Sequence, residues 1–253
     1  MKERLIYYTD MLNDEFSTAQ ITPRYIGEDY RYERGAIAHL FWYRAIATPL
    51  AWTYLKTKFH HRIVGAEKLE AAKGKGIFLY GNHTQIVADA LIPSFVSMPR
   101  HAYVVVHPNN VSMPVLGRIT PYLGALPLPD NAAAAVNFSQ AITRCVAHGD
   151  AVVIYPEAHI WPYYTGIRPF SDASFLYPIR HGAPVFCFTN VYRARKHGEH
   201  PDIVTFVDGP FYADDALPIR RRRQALRDAV YTAMCERAAL SNCSYIEYRP
   251  KEE

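Results

Sequence analysis

Apolar runs and amphipathic stretches alternate along most of this chain. Short apolar runs at residues 76–80, 102–106, 151–155, 184–191 and 203–207 predict β-strands. The longer segments between them, residues 87–95, 111–123, 132–148 and 172–181, predict helices, and residues 221–240 predict a final basic amphipathic helix. The clearest boundaries belong to residues 132–148. Asn131 is a capping residue ahead of an alanine-rich run, and His148 and Gly149 supply a basic last turn and a stop. Strands alternating with helices predict an α/β fold: a mixed, largely parallel sheet flanked by helices.

Upstream the pattern changes. Residues 1–34 form a polar arm in which Tyr7, Tyr8, Tyr25, Tyr30 and Tyr32 are docking points, and no apolar leader segment is visible there. Residues 35–55 read GAIAHLFWYRAIATPLAWTYL, close to the roughly 20 residues that span a bilayer. Arg44 at the middle is costly in hydrocarbon, Pro49 interrupts the run, and His39, Thr48 and Thr53 dilute it. The segment reads as a kinked interfacial helix with Trp42, Tyr43, Trp52 and Tyr54 near headgroup depth. An ordinary helix buried in the domain is the competing reading. The expected division is an arm over residues 1–34, a membrane-associating helix over 35–60 and a globular domain over 61–253.

Composition changes this picture little. The 19 tyrosines suit a membrane interface and a wet binding surface equally. The net charge is only +4, so its placement says more than its size. The run Arg220, Arg221, Arg222 and Arg223, and the cluster Lys56, Lys58, His60, His61 and Arg62, fit either anionic headgroups or a solvated face. Cys145, Cys187, Cys235 and Cys243 show no paired or zinc-type spacing, so neither a disulfide framework nor a metal site is expected. The chain lacks the glycine-rich fingerprints of nucleotide sites and the serine elbow of lipid ester hydrolases. No nucleic-acid partner is expected.

The sharpest chemical signal follows the strand at 76–80: Gly81-Asn82-His83-Thr84-Gln85-Ile86-Val87-Ala88-Asp89. The carboxyl end of a strand in an α/β sheet is where sites form. A histidine beside a carboxylate can take up a proton, because the carboxylate fixes the tautomer and stabilises the imidazolium. On one ideal helix, residues six apart diverge by about 120°. His83 therefore belongs in the loop, with Asp89 reaching back from the first helical turn. A histidine at a helix end with an unrelated surface aspartate would give the same sequence.

The Asn82-His83 to Asp89 block resembles the first motif of the glycerolipid acyltransferases, the family of the 1-acylglycerol-3-phosphate acyltransferases. That motif is N-H-x4-D, and this chain carries one extra residue before Asp89. Three further blocks follow in the family's order. Gly124-Ala125-Leu126-Pro127-Leu128-Pro129-Asp130 resembles the second motif, with Asp130 where arginine is usual. Tyr155-Pro156-Glu157-Ala158-His159 resembles the third, P-E-G-T-R, with Ala158 for the glycine and no arginine in register. His181-Gly182-Ala183-Pro184-Val185 resembles the fourth, a strand start that helps wall the acyl pocket. The resemblance covers residues 63–191.

The resemblance implies a glycerolipid O-acyltransferase of phospholipid biosynthesis. Its donor would be acyl-CoA or acyl carrier protein, as co-substrate and not as cofactor, and its acceptor a lysophospholipid or glycerol phosphate. His83 would deprotonate the acceptor hydroxyl for direct attack on the thioester, with Asp89 orienting it. Asn82, Thr84 and Glu157 would line the substrate, and Pro184 and Val185 the acyl pocket. In place of the third-motif arginine, Arg118, Arg168 and His159 are the candidates for the acceptor phosphate; as surface ion-pair residues the two arginines would play no such part. The aromatic loop Ile160-Trp161-Pro162-Tyr163-Tyr164 is either a lipid-facing lip or a packed turn. The expected location is the cytoplasmic face of a membrane, as a peripheral or monotopic protein. The altered motifs also admit a non-catalytic relative that binds lipid or an acyl carrier.

Overall fold

The computed structural model describes residues 4–16, 21–32 and 41–251. The start of the expected membrane helix, residues 35–40 with His39, lies outside the described residues, as do residues 1–3, 17–20 and 33–34 of the arm. In chain order the elements are β1 (Leu5–Tyr8), a wide π-helical stretch (Phe41–Ala47) running into α1 (Thr48–Phe59), β2 (Arg62–Val64), a 3-10 segment (Ala66–Ala72), β3 (Ile77–Gly81), α2 (Ala88–Val96), β4 (Ala102–Val106), the short α3 (Asn109–Ser112) and α4 (Leu116–Ile119), β5 (Ala125–Pro127), α5 (Ala132–Ala147), β6 (Ala151–Ile154), α6 (Leu176–His181), β7 (Val185–Arg193), β8 (Asp202–Phe211), α7 (Ile219–Ala238) and β9 (Glu247–Pro250).

Among the described residues, seven strands form one sheet in the order β2-β8-β7-β3-β6-β4-β5. The five strands from β7 to β5 run parallel, β8 is antiparallel to β7, and β2 runs parallel to β8. The expected mixed, largely parallel sheet is therefore present. β3 sits at its centre and is buried along its whole length, as a parallel strand covered on both faces must be. Alternation divides the core. Phe78 and Tyr80 pack with Phe138 and Ile142 of α5 and with Val230 and Met234 of α7. Ile77 and Leu79 pack on the opposite face with Leu55 and Phe59 of α1 and Ala88 and Ile92 of α2. Removing a ring from the middle of such a strand, as in Phe78→Ala, costs about 3–5 kcal/mol in lost contacts and cavity.

α5 forms where the pattern placed it. Asn131 caps it, its side chain accepting from the Ala134 amide at 2.8 Å, and Ala134, Phe138, Ala141, Ile142 and Cys145 form its buried stripe. The single helix expected over residues 111–123 is instead broken into α3, α4 and the 3-10 turn Thr120–Leu123. Pro114 and Pro121 each lack an amide proton and crowd the preceding turn. Val115, between the two short helices, takes a φ of 63°.

Among the described residues, no helix is long and apolar enough to cross a membrane. The π-helical stretch and α1 bury Tyr43, Ala51, Leu55 and Phe59 in the body, while Phe41, Leu50 and Trp52 point outward. Among the described residues the arm docks on the body. Asp130, where arginine is usual in the second motif, accepts the Ile26 amide, and Tyr32 donates to the Pro127 carbonyl at 2.9 Å. Further upstream, β1 pairs in parallel with β9 near the other end of the chain.

Candidate active site

β3 ends at Gly81, and the chain then turns across the carboxyl end of the parallel strands before α2 begins at Ala88. His83 lies in this loop and Asp89 in the first turn of α2. The two meet: His83 Nδ1 is 3.0 Å from Asp89 Oδ2. The residue that lengthens the motif is absorbed by a turn at Ile86 and Val87, which leaves both side chains exposed.

Four N–H groups converge on Asp89. Its Oδ2 takes the amides of Thr84 (2.7 Å) and Gln85 (2.8 Å) besides the histidine ring, and its Oδ1 takes Nδ2 of Asn190 at 3.1 Å. Burial pushes the Asp89 carboxyl above its ordinary value, and the His83 ring and these amides pull it back. A ring of donors is satisfied by the anion. With the carboxylate as acceptor, the neutral ring of His83 carries its proton on Nδ1 and presents Nε2 as an acceptor. No described residue hydrogen-bonds Nε2, so that nitrogen has no protein partner, and the side chain of His83 is 19% exposed.

The rest of His83 is held on every side. Its amide donates to Glu157 Oε2 at 3.0 Å, and its carbonyl accepts the Trp161 amide at 3.1 Å. The ring of Tyr155 stacks on the imidazole at 4.5 Å. Asn82 replaces a strand partner: its carboxamide accepts from the Asn190 amide at 2.8 Å and donates to the Asn190 carbonyl at 3.1 Å. This extends the β3–β7 ladder past its last backbone pair, Gly81 with Phe188. Thr84 is fully buried and bonded to the Tyr192 hydroxyl at 2.8 Å.

Asn82, Thr84 and Glu157, expected along the substrate, thus point into the framework that holds His83. Arg168 does the same. It is fully buried, its amide donates to Glu157 Oε1 at 3.0 Å, and its guanidinium donates to the carbonyls of Glu157, His159 and Met11. The guanidinium also lies over the ring of Trp161 at 5.0 Å. Burial pushes the Glu157 carboxyl up, and the Arg168 charge opposes that shift. Its Nε, without a partner among the described residues, is buried as well, so the guanidinium turns its donors inward and not toward an acceptor phosphate. His159 is half-buried, with Nδ1 3.9 Å from a Glu15 oxygen. Arg118 on α4 is exposed and pairs with no described residue.

Pro184 and Val185 fall elsewhere. Val185 opens β7 and pairs with Phe78, whereas His83 follows the other end of β3. The separation is roughly 10 Å or more along the strand. The β7 residues that reach the site are Asn190 and Tyr192. The aromatic loop is a packed turn: Trp161 is fully buried among Tyr8, Phe16, Tyr164 and Tyr248, and the Tyr163 amide donates to the Thr84 carbonyl at 2.9 Å. Sequence reasoning missed Tyr155 as a support for the ring, and Asn190 altogether. The signal for Asn190 was a polar side chain inside an apolar strand.

No family model matches the chain, and no curated protein matches it. Among solved structures the chain is similar to the crystal structure of the 1-acyl-sn-glycerophosphate (LPA) acyltransferase PlsC from Thermotoga maritima. The TM-score is 0.53 and the identity 13%, over 75% of this chain and 76% of that one. At this identity the likeness is one of fold: the mixed sheet with flanking helices is shared.

Proposed function

We propose that the protein is an acyltransferase that moves a fatty acyl group from a thioester, acyl-CoA or acyl carrier protein, to the hydroxyl of a lysophospholipid or glycerol phosphate. The observation that carries this reading is the His83–Asp89 pair, with Nδ1 bonded to a buried carboxylate and Nε2 without a partner among the described residues, on a fold like that of an LPA acyltransferase. In the reaction, Nε2 takes the proton of the acceptor hydroxyl as its oxygen attacks the thioester carbonyl. Asp89 stabilises the imidazolium so formed. Collapse of the tetrahedral intermediate breaks the carbon–sulfur bond, the thiolate leaves, and the imidazolium returns the proton to it. No acyl-enzyme is required.

Two further features support the reading. Arg118, exposed on α4, is a candidate cation for an acceptor phosphate. Phe41, Leu50 and Trp52, with Ile86 and Val87 in the His83 loop, are exposed apolar side chains that suit peripheral docking on a membrane, proposed here as its cytoplasmic face.

The test is thiol release from palmitoyl-CoA and from an acyl carrier protein thioester, with a panel of lysophospholipids and glycerol phosphate, for wild type and His83→Ala. Acceptor-dependent release that disappears in His83→Ala is expected, and it names donor and acceptor. Release without acceptor would mean a thioesterase. No release with any pair would favour a lipid- or carrier-binding protein without turnover. Full activity in His83→Ala would remove His83 from the mechanism.

A further inference from the structure

Behind Asp89, three strands bring together a line of buried polar side chains. It begins at His61, immediately ahead of β2 and 4% exposed. Its Nε2 lies 2.8 Å from Oγ1 of Thr205 on β8. The Thr205 hydroxyl donates to Oδ1 of Asn190 on β7 at 2.7 Å, and Asn190 Nδ2 donates to Asp89 Oδ1 at 3.1 Å. Asp89 Oδ2 meets His83 Nδ1 at the far end.

The direction of each bond is determined. A hydroxyl has one proton. Thr205 gives it to Asn190, so His61 donates from Nε2. A carboxamide has an acceptor end and a donor end; with Thr205 on the acceptor end, the donor end faces Asp89. Turned over, the amide would set its oxygen against a carboxylate oxygen. Thr205 and Asn190 are buried, where an unpaired polar group is costly and a satisfied network holds one arrangement.

We infer that Asn190, locked in one orientation by Thr205 and His61, is a positioning residue that fixes the Asp89 carboxylate and thereby keeps the His83 proton on Nδ1, with Nε2 free for the acceptor. This rests on the acyl-transfer reading and adds to it the device that sets the base. The other titratable groups around the line are Tyr155 on the Asp89 carbonyl, Tyr192 on Thr84, Glu157 on the His83 amide and Lys56 on the His61 carbonyl.

The experiment follows the His83 imidazole by nitrogen-15 NMR across pH, its signals assigned with His83→Ala, alongside kcat and KM for thiol release. Thr205→Val keeps the shape and removes the hydroxyl, Thr205→Ser returns it, and Asn190→Leu removes the amide. Thr205→Val and Asn190→Leu should lower kcat roughly tenfold or more, with KM within about twofold. They should also shift the acid limb of the kcat profile and raise the fraction of His83 protonated on Nε2. Thr205→Ser should restore all three. A folded Thr205→Val protein with wild-type tautomer and pH profile overturns the inference, and decides alone should Asn190→Leu fail to fold. If wild type transfers no acyl group, the functional reading fails. The NMR then decides by itself, an unchanged His83 tautomer in Thr205→Val overturning the positioning role and a changed one upholding it.

Discussion

The phenol ring of Tyr155 lies nearly flat against the imidazole of His83, with centroids 4.5 Å and planes 19° apart. The same residue's hydroxyl donates to the Asp89 carbonyl. Tyr155 thus touches both members of the pair, the ring through its face and the carboxylate's backbone through its oxygen. It follows the last residue of β6, which runs beside β3, so the sheet places a flat wall against His83. The wall restricts rotation of the imidazole, and Asp89 selects the orientation that aims Nε2 outward.

Losing that wall should cost activity more than stability. Tyr155→Leu is expected to lower kcat about tenfold or more, because a small misplacement of a base is amplified in rate. Tyr155→Phe keeps the face and loses one hydrogen bond worth about 1 kcal/mol. It should retain most activity, with Tm lower by roughly 2–4 °C. Steady-state kinetics with calorimetry on both variants check this; equal activity in Tyr155→Leu and wild type would show that Asp89 alone sets the ring.

Arg168 leads to a different expectation. Its guanidinium and the Glu157 carboxylate lie 3.8 Å apart, both fully buried, and Glu157 in turn holds the His83 amide. Removing one partner leaves the other charge buried alone, at about 3–5 kcal/mol. Arg168→Met should therefore lower Tm by roughly 5 °C or more and reduce kcat with phosphate-bearing and phosphate-free acceptors by the same factor. A selective rise in KM for phosphate-bearing acceptors would instead return Arg168 to the binding site.

How far the sequence reveals such roles depends on whether the signal is local. β3 and α5 were legible because periodicity and a cap lie within their own residues. The pair β1 and β9 was not, since four mostly exposed residues matched across the chain, as Leu5 with Glu247, leave no pattern in either segment. The helix expected over residues 111–123 had apolar spacing on its side, and Pro114 and Pro121 overrode it. His83 and Asp89 were legible because one short stretch carries both, the first in the loop after β3 and the second in the first turn of α2. Asn190, Thr205 and His61 reach the site only through the register of β7, β8 and β2, which sequence spacing does not encode. Arg168 read as a candidate for the acceptor phosphate or as a surface ion-pair residue, and the structure buries it instead. Its burial depends on Glu157 and Trp161 folding around it, and an isolated arginine gives no sign of that.

Ala158 marks where the chain departs from the P-E-G block, and its backbone shows the consequence. Its φ is 64°, in the left-handed region that glycine enters freely and other residues enter at about 1–2 kcal/mol. Ala158→Gly relieves that strain and loosens the unfolded chain by about 0.4–1 kcal/mol. The balance favours the folded state by about 0.5–1 kcal/mol. Denaturant unfolding should show a higher midpoint with unchanged slope; a lower midpoint would mean that the Ala158 methyl makes contacts worth more than the strain.

The buried line behind the site also carries a pH signature. Burial, with the nearby Lys56 charge adding to it, pushes His61 from 6.5 down to about 4. Between those values the unfolded chain binds a proton at this ring that the folded chain does not. Stability must then rise with pH across the interval, being complete above about 6.5 and declining as pH falls toward about 4. Buried Asp89 and Glu157 are shifted upward and act in the opposite sense, so the wild-type curve alone does not isolate the histidine. His61→Gln keeps an N–H for Thr205 and has nothing to titrate. Scanning calorimetry of both proteins at matched pH should show wild type losing more stability than His61→Gln between about pH 7 and pH 4.5. Parallel curves would mean that His61 binds as much proton in the folded as in the unfolded chain across this window, and would remove it as the neutral donor that starts the line to Asp89.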